Sequence, residues 1–142
     1  MKENSPIKFL DLKAINQAFE PELSETILQI SRSGQYVNGE ISAKFEKNFA
    51  DYIGTQHCIS LGNGTNALEL ILRAYLILGH LKEGDEVLVP ANTFFATFLA
   101  ISNQRLIPVA VEPELTSFNI SARSLEQKIT KKSRALVLVH LF

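Results

Sequence analysis

Between His57 and Tyr75 the sequence reads HCISLGNGTNALELILRAY. A short apolar run breaks at Gly62-Asn63-Gly64-Thr65, and a strongly apolar helical run begins at once. The chemistry such a junction offers is anion binding. Glycines let the backbone turn sharply and approach a ligand, the N–H groups of Thr65 and Asn66 point along the coming helix axis, and Thr65 adds a hydroxyl. A plainer alternative is a tight strand–helix turn with Thr65 as N-cap and no ligand. The spacing is neither GxGxxG nor GxxxxGK followed by Ser or Thr, which argues against a nucleoside triphosphate.

A second junction follows. VLVPANTFFAT places Pro90, Asn92 and Thr93 at the end of a strand, with Phe94 immediately after. A flat aromatic there could lie against a planar ring whose phosphate sits at the first junction. The alternative for Phe94 is a place in the core, and for Phe95 the core is the preferred reading. Lys82, Lys128, Lys131 and Lys132 lie in charged loops or at a helix end and read as solvated. His57, His80 and His140 lack metal-ligand spacing, and His140 reads as a packed strand-end residue. No catalytic residue and no metal ligand is assigned. KITKKSR carries too few charges for nucleic-acid binding.

These residues need elements to position them. After Gly54, apolar runs alternate with helical stretches: strand 58–61, helix 65–78, strand 86–90, helix 93–103, strand 106–111, helix 122–130 and strand 134–141. Strands apolar on both faces and separated by helices predict a mainly parallel α/β sheet covered on both sides, with ligands at the strands' C-terminal ends. Helix 65–78 is polar only at Asn66, Glu69 and Arg73, a single stripe that predicts a helix nearly surrounded by protein. Glu69 and Arg73 are spaced to pair. Helix 93–103 is similarly apolar. Upstream, an arm leads to a helix starting at Pro21, with Leu23, Ile27 and Ile30 on one stripe and Gly34 as its stop. GQYVNG is a turn-rich connector, and helix 40–52 carries Ile41, Phe45, Phe49 and Tyr52 on one face. The expected division is 1–54, arm and helices, and 55–142, the first part of an α/β domain.

With 142 residues, 46% of them hydrophobic, the chain has the length and apolar content of one ordinary domain. A net charge of -1 points to neither nucleic acid nor an anionic membrane as partner. The single Cys58 excludes an internal disulfide and suits a reducing compartment. The N-terminus lacks a signal-type apolar region, and no run approaches the roughly 20 apolar residues of a membrane span. A cytoplasmic location is expected. The closing RALVLVHLF is an unfinished buried-type strand, the pattern expected of part of a longer protein.

Taken together, YIGTQHCISLGNGTNALELILRA, EGDEVLVPANTFFATFLAI, PVAVEPELTSFNIS and KSRALVLVHLF resemble the N-terminal part of the DegT/DnrJ/EryC1/StrS family, from IKFLDLK through SGQYVNG to the last residue. Two departures are a longer turn in YLILGHLKEGDE and Glu112 where the family often has Asp. The resemblance implies a partial fold type I large domain and a pyridoxal-phosphate-dependent aminotransferase. Its substrate would be a nucleotide-linked keto sugar, with glutamate as amino donor. It implies that the amides of Thr65 and Asn66 bind the cofactor phosphate, that Gly64 makes room, and that Phe94 stacks on the pyridine ring. It also implies a homodimer, with Tyr36 near the partner's site or simply part of a turn. In the family, the lysine that joins the cofactor and the acid on its ring nitrogen lie beyond Phe142, so the chain alone is expected to be inactive; with the neighbour of strand 58–61 also missing, it is expected to be marginally stable or to depend on the missing half. The family order puts strand 106–111 at the sheet edge, in keeping with Pro108, and leaves strand 58–61 without its neighbour. Rival readings are a dehydratase relative using the same cofactor, and a non-catalytic remnant or regulatory protein of the same fold. A plain Rossmann-like nucleotide binder lacks the acidic residue that would follow its glycine fingerprint.

Overall fold

Four consecutive buried residues, Val87 to Pro90, form the middle of a three-stranded parallel sheet in the computed structural model, which describes residues 8–141. Strand β1 (Glu86–Pro90) lies between β2 (Ile107–Val111) and β3 (Ser133–Leu136). Its register with β2 is unbroken from Glu86 opposite Ile107 to Pro90 opposite Val111. Against β3 it shifts once after Glu86, then sets Val87 opposite Ala135 and Leu88 opposite Leu136. A central parallel strand must be apolar on both faces, because crossover helices cover both. Val87 and Val89 join Leu72, Leu81, Ala100, Ile101 and Leu106 in the core, while Leu88 meets Leu125 and Ile129 around a shallow cleft. As expected, β2 is an edge strand, where Pro108 can lack a donor.

Two helices cover the valine face. Helix α4 (Gly64–Ile77) packs on α5 (Phe95–Asn103), and Ala100, fully buried and small, keeps them close. Across their seam Asn103 Nδ2 donates to Glu69, so Glu69 is not paired with Arg73. A short helix α6 (Ala122–Glu126) starts at a reciprocal cap between Ser121 and Ser124. Such a cap satisfies two donors that a helix start leaves orphaned.

The chain divides into two compact units, Met1–Ser60 and Leu61–Phe142. The first is helical: α1 (Leu12–Gln17), α2 (Glu22–Ser33) and α3 (Glu40–Ile53). Left-handed glycines, Gly34 and Gly54, end α2 and α3. Phe45, Phe49 and Tyr52 form an aromatic row along α3, with ring centroids 5.6 and 6.5 Å apart. The expected arm is helical from Leu12, because Asp11 caps it by accepting from the Ala14 amide. Residues 1–7 and Phe142, which the reading of the sequence also covered, lie outside the described residues.

Other departures share one cause, the reach of the neighbours. Residues 58–61 form no strand: no ladder partner stands beside them among the described residues, and Ile59 is 78% exposed. Instead the Ser60 N–H and hydroxyl both donate to Glu46, at 2.8 and 2.7 Å. Helix α4 is not surrounded, for only the side bearing Leu72 is buried and Leu70, Ile71, Ile77 and Leu78 are exposed. The last strand ends at Leu136 rather than Leu141, and α6 ends at Glu126 rather than Thr130. No helix among the described residues is long and apolar enough to cross a membrane.

Ile101→Val trims one methylene from the closed core and is expected to cost about 1 kcal/mol in a urea melt, whereas Ile107→Val on the exposed edge strand stays within about 0.5 kcal/mol. Hydrogen bonds from the Ser60 backbone and then its hydroxyl hold the Glu46 carboxyl below its ordinary value. A depressed carboxyl contributes fully above the usual range and loses its contribution as pH falls through the folded value. An NMR titration should therefore show the Ser60 amide shift following Glu46 at a midpoint below that of an ordinary glutamate. Glu46→Gln removes that transition.

Candidate functional site

Helix α4 is about 21 Å long and is followed by the turn that feeds the start of β1, so its first residue lies at the other edge of the sheet. Helix α5 leaves the end of β1 and returns to the start of β2. Both helices therefore begin at the C-terminal edge of the strands, the edge where open α/β sheets bind ligands. Gly64, Thr65, Asn66 and Phe94 are gathered there.

At the first junction Asn63 is extended, with φ -166° and ψ 171°, and its Oδ1 accepts the Asn66 N–H at 2.9 Å. Asn63 is thus the N-cap in place of Thr65, which already lies inside the helix. An Asn three residues before the amide it serves is a cap spacing that sequence reading passed over. The N–H groups of Gly64 and Thr65 have no acceptor among the described residues. Two free helix-start donors and a positive dipole end are the donor set an anion requires.

The glycines add an independent sign. Gly34, Gly54, Gly79 and Gly84 have positive φ, which explains them, and Gly39 packs against Gln35. Gly62 and Gly64 have neither reason: their φ is ordinary, and a Cβ on Gly64 would meet nothing within 4 Å. The space a side chain would fill is therefore left open beside the free amides, as a cradle for an anion needs.

At the second junction Phe94 precedes α5 with φ -61° and ψ 140°, and the residue is 81% exposed. The residues before it are fixed by side-chain hydrogen bonds. The hydroxyls of Thr93 and buried Thr97 bond at 3.0 Å, and Asn92 Nδ2 donates to the Phe118 carbonyl at 2.9 Å. Phe118 has a left-handed φ of 56° in a turn closed by Phe118 N–H to Glu114. Phe95 is not core but 66% exposed. The buried side of α5 is Thr97, Ala100 and Ile101, and the helical period carries Phe95 away from it.

The remaining candidates disperse. Lys82 precedes β1, and Lys131 and Lys132 precede β3, so all three sit at the N-terminal edge, opposite the cradle. They and Lys128 are exposed. His140 follows β3 and is exposed rather than packed, since the ladder stops four residues earlier at Leu136. Among the described residues no group of three or more His, Cys, Asp or Glu could hold a metal ion. Tyr36 donates to the Ser31 carbonyl at 3.1 Å and lines a cleft with Gln29, Ile30 and Ile41 inside the first unit.

A family model described as the DegT/DnrJ/EryC1/StrS aminotransferase family matches residues 17–142. A dTDP-3-amino-3,6-dideoxy-alpha-D-galactopyranose transaminase of Aneurinibacillus thermoaerophilus is 43% identical over 136 residues, which is 96% of this chain and 36% of that protein. The crystal structure of S. venezuelae DesV in complex with ketimine intermediate superposes with a TM-score of 0.86 at 38% identity, covering 97% of this chain and 36% of that one. An E. coli GDP-4-keto-6-deoxy-D-mannose-3-dehydratase with bound hydrated PLP gives 0.75 at 25% identity, over 81% and 30%. The chain thus spans about a third of the length of the relatives it matches.

Gly64→Ala isolates the cradle from the fold. Alanine is a better helix residue than glycine, so thermal melting should be unchanged or slightly raised. Binding of inorganic phosphate, read from the Gly62–Asn66 amide resonances, should weaken about tenfold or more as the methyl group enters the anion's space.

Proposed function

The chain belongs to the DegT/DnrJ/EryC1/StrS aminotransferase family, and from that premise we propose that it is the N-terminal part of a pyridoxal-phosphate-dependent enzyme that aminates a nucleotide-linked keto sugar, with glutamate as donor. The single observation that carries this reading is the pairing of open donors at Gly64 and Thr65 with an exposed aromatic residue, Phe94, on one sheet edge. The sugar class is supported by the family and by its relatives, among them the dTDP-amino-sugar transaminase, rather than by a feature of the site. Residues 1–54 would be the N-terminal arm and helices, and 55–142 the first part of the cofactor-binding domain.

Pyridoxal phosphate, when bound, supplies the electron sink of transamination. The residues of this chain hold and orient it. The Gly64 and Thr65 N–H groups, with the Thr65 hydroxyl and the Asn66 amide, would hold the phosphate, and Phe94 would stack on the pyridine ring. Thr93 and Asn92 keep the Phe94 backbone still, so less ordering remains to be done on binding. No lysine of the described edge is placed to join the cofactor or move its proton, so the chain by itself is read as a binding half-site. The rest of a full-length relative would supply the lysine, the acid on the ring nitrogen, and neighbours for 58–61 and for the exposed face of α4. A homodimer and a cytoplasmic location go with this reading.

A dehydratase acting through the same cofactor is the second reading, favoured by the structural likeness to the E. coli enzyme. Both use the same half-site.

Titrating the chain with pyridoxal phosphate, pyridoxal and inorganic phosphate tests the reading by absorbance before and after borohydride. Pyridoxal phosphate should bind and be displaced by phosphate, with no reducible long-wavelength band tied to one lysine. Phe94→Ala should weaken pyridoxal phosphate about tenfold and leave inorganic phosphate unaffected, while Phe94→Tyr retains binding. A reducible band on one specific lysine of this chain would overturn the half-site assignment.

A further inference from the structure

The Asn66 amide has two claimants. Resemblance to the family assigns its N–H to the cofactor phosphate, yet that hydrogen is already donated to Asn63 Oδ1 at 2.9 Å. One N–H makes one strong hydrogen bond, so the two acceptors exclude each other at that atom. Gly64 and Thr65, by contrast, keep their donors free. We infer that Asn63 is an internal competitor for the phosphate: its carboxamide caps the empty cradle and must turn away for the anion to take the Asn66 N–H. This rests on the phosphate reading of the same site.

The surroundings allow the exchange. Asn63 is exposed, and its extended backbone is unstrained, so the side chain can rotate into solvent without moving the helix. Apart from its chain neighbours, nothing lies within 4 Å of where a Gly64 Cβ would stand, so that side of the helix start is open. An anion at the same place takes over the capping role, because it satisfies the N–H and complements the positive end of α4. The device has a physical use. A helix start with three bare donors frays, whereas a self-capped one holds the GNGTN turn in shape until the cofactor arrives, at the expense of some affinity.

The sign of the effect separates competitor from ligand. A cap of ordinary strength corresponds to about fivefold in affinity. Asn63→Ala should therefore bind inorganic phosphate about fivefold tighter than the parent chain, while its unliganded form melts at a lower temperature. Asn63→Asp keeps the cap and the fold but brings a negative charge to the cradle, and should bind phosphate at least tenfold more weakly. The measurement is a phosphate titration followed at the amides of Gly64, Thr65 and Asn66. The Asn66 resonance should move in the parent chain only as its bond to Asn63 breaks. If Asn63→Ala binds equally or more weakly, Asn63 is a bystander or a ligand and the inference fails, with the phosphate reading intact. If Gly64 and Thr65 do not respond to phosphate even in the parent chain, the phosphate reading fails and takes the inference with it.

Discussion

Closure of β1 on both faces and along both edges is the constraint on which the α/β unit depends. A parallel strand cannot be joined to its neighbour by a hairpin, so each connection must cross the sheet, and here each crossing includes a helix. Once Val87 and Val89 are buried by α4 and α5, the directions of those helices are set. They run back toward the strand starts, which leaves both N-termini on the opposite edge. The positive ends of two helices and the residues just before them are thereby gathered in one place without any residue there having to stabilise the fold.

That separation is visible residue by residue. The residues that hold the structure, such as Ile101, Val87 and Ala100, have no exposed surface. Those of the proposed half-site, Gly64, Asn66 and Phe94, are open to solvent. Thr97 links the two groups: buried in α5, it spends its hydroxyl on Thr93 and so ties the core to the residue before Phe94. Asn92 does the same across the sheet edge, reaching 26 positions along the chain to Phe118. Its acceptor sits in a left-handed conformation that costs a non-glycine residue about 1–2 kcal/mol, which the turn from Glu114 to Asn119 must offset.

Much of this was legible beforehand. Strand β1 matches its expected span of 86–90, because an apolar run between GDE and PAN has no competing period. The edge position of β2 followed from the family's strand order and agrees with Pro108, and the end of α2 followed from Gly34, a local rule with a local cause. The readings that failed concerned surroundings. Phe95 and α4 are apolar enough to be buried, yet hydrophobicity states a preference for burial and cannot name the neighbour that provides it. The same limit applies to 58–61, whose β-branched and apolar residues suit a strand but meet no ladder.

The sequence by itself determined the periods, the glycine stop of α2, and the two junctions where glycine, threonine and phenylalanine could meet a phosphate and a ring, because these depend on residues a few positions apart. Tertiary structure alone decided which donors at those junctions are free. Asn63 rather than Thr65 caps α4, Asn92 reaches Phe118, and Glu46 takes both donors of Ser60. A hydrogen-bond donor serves the acceptor that geometry brings nearest, and that choice exists only after the chain has folded.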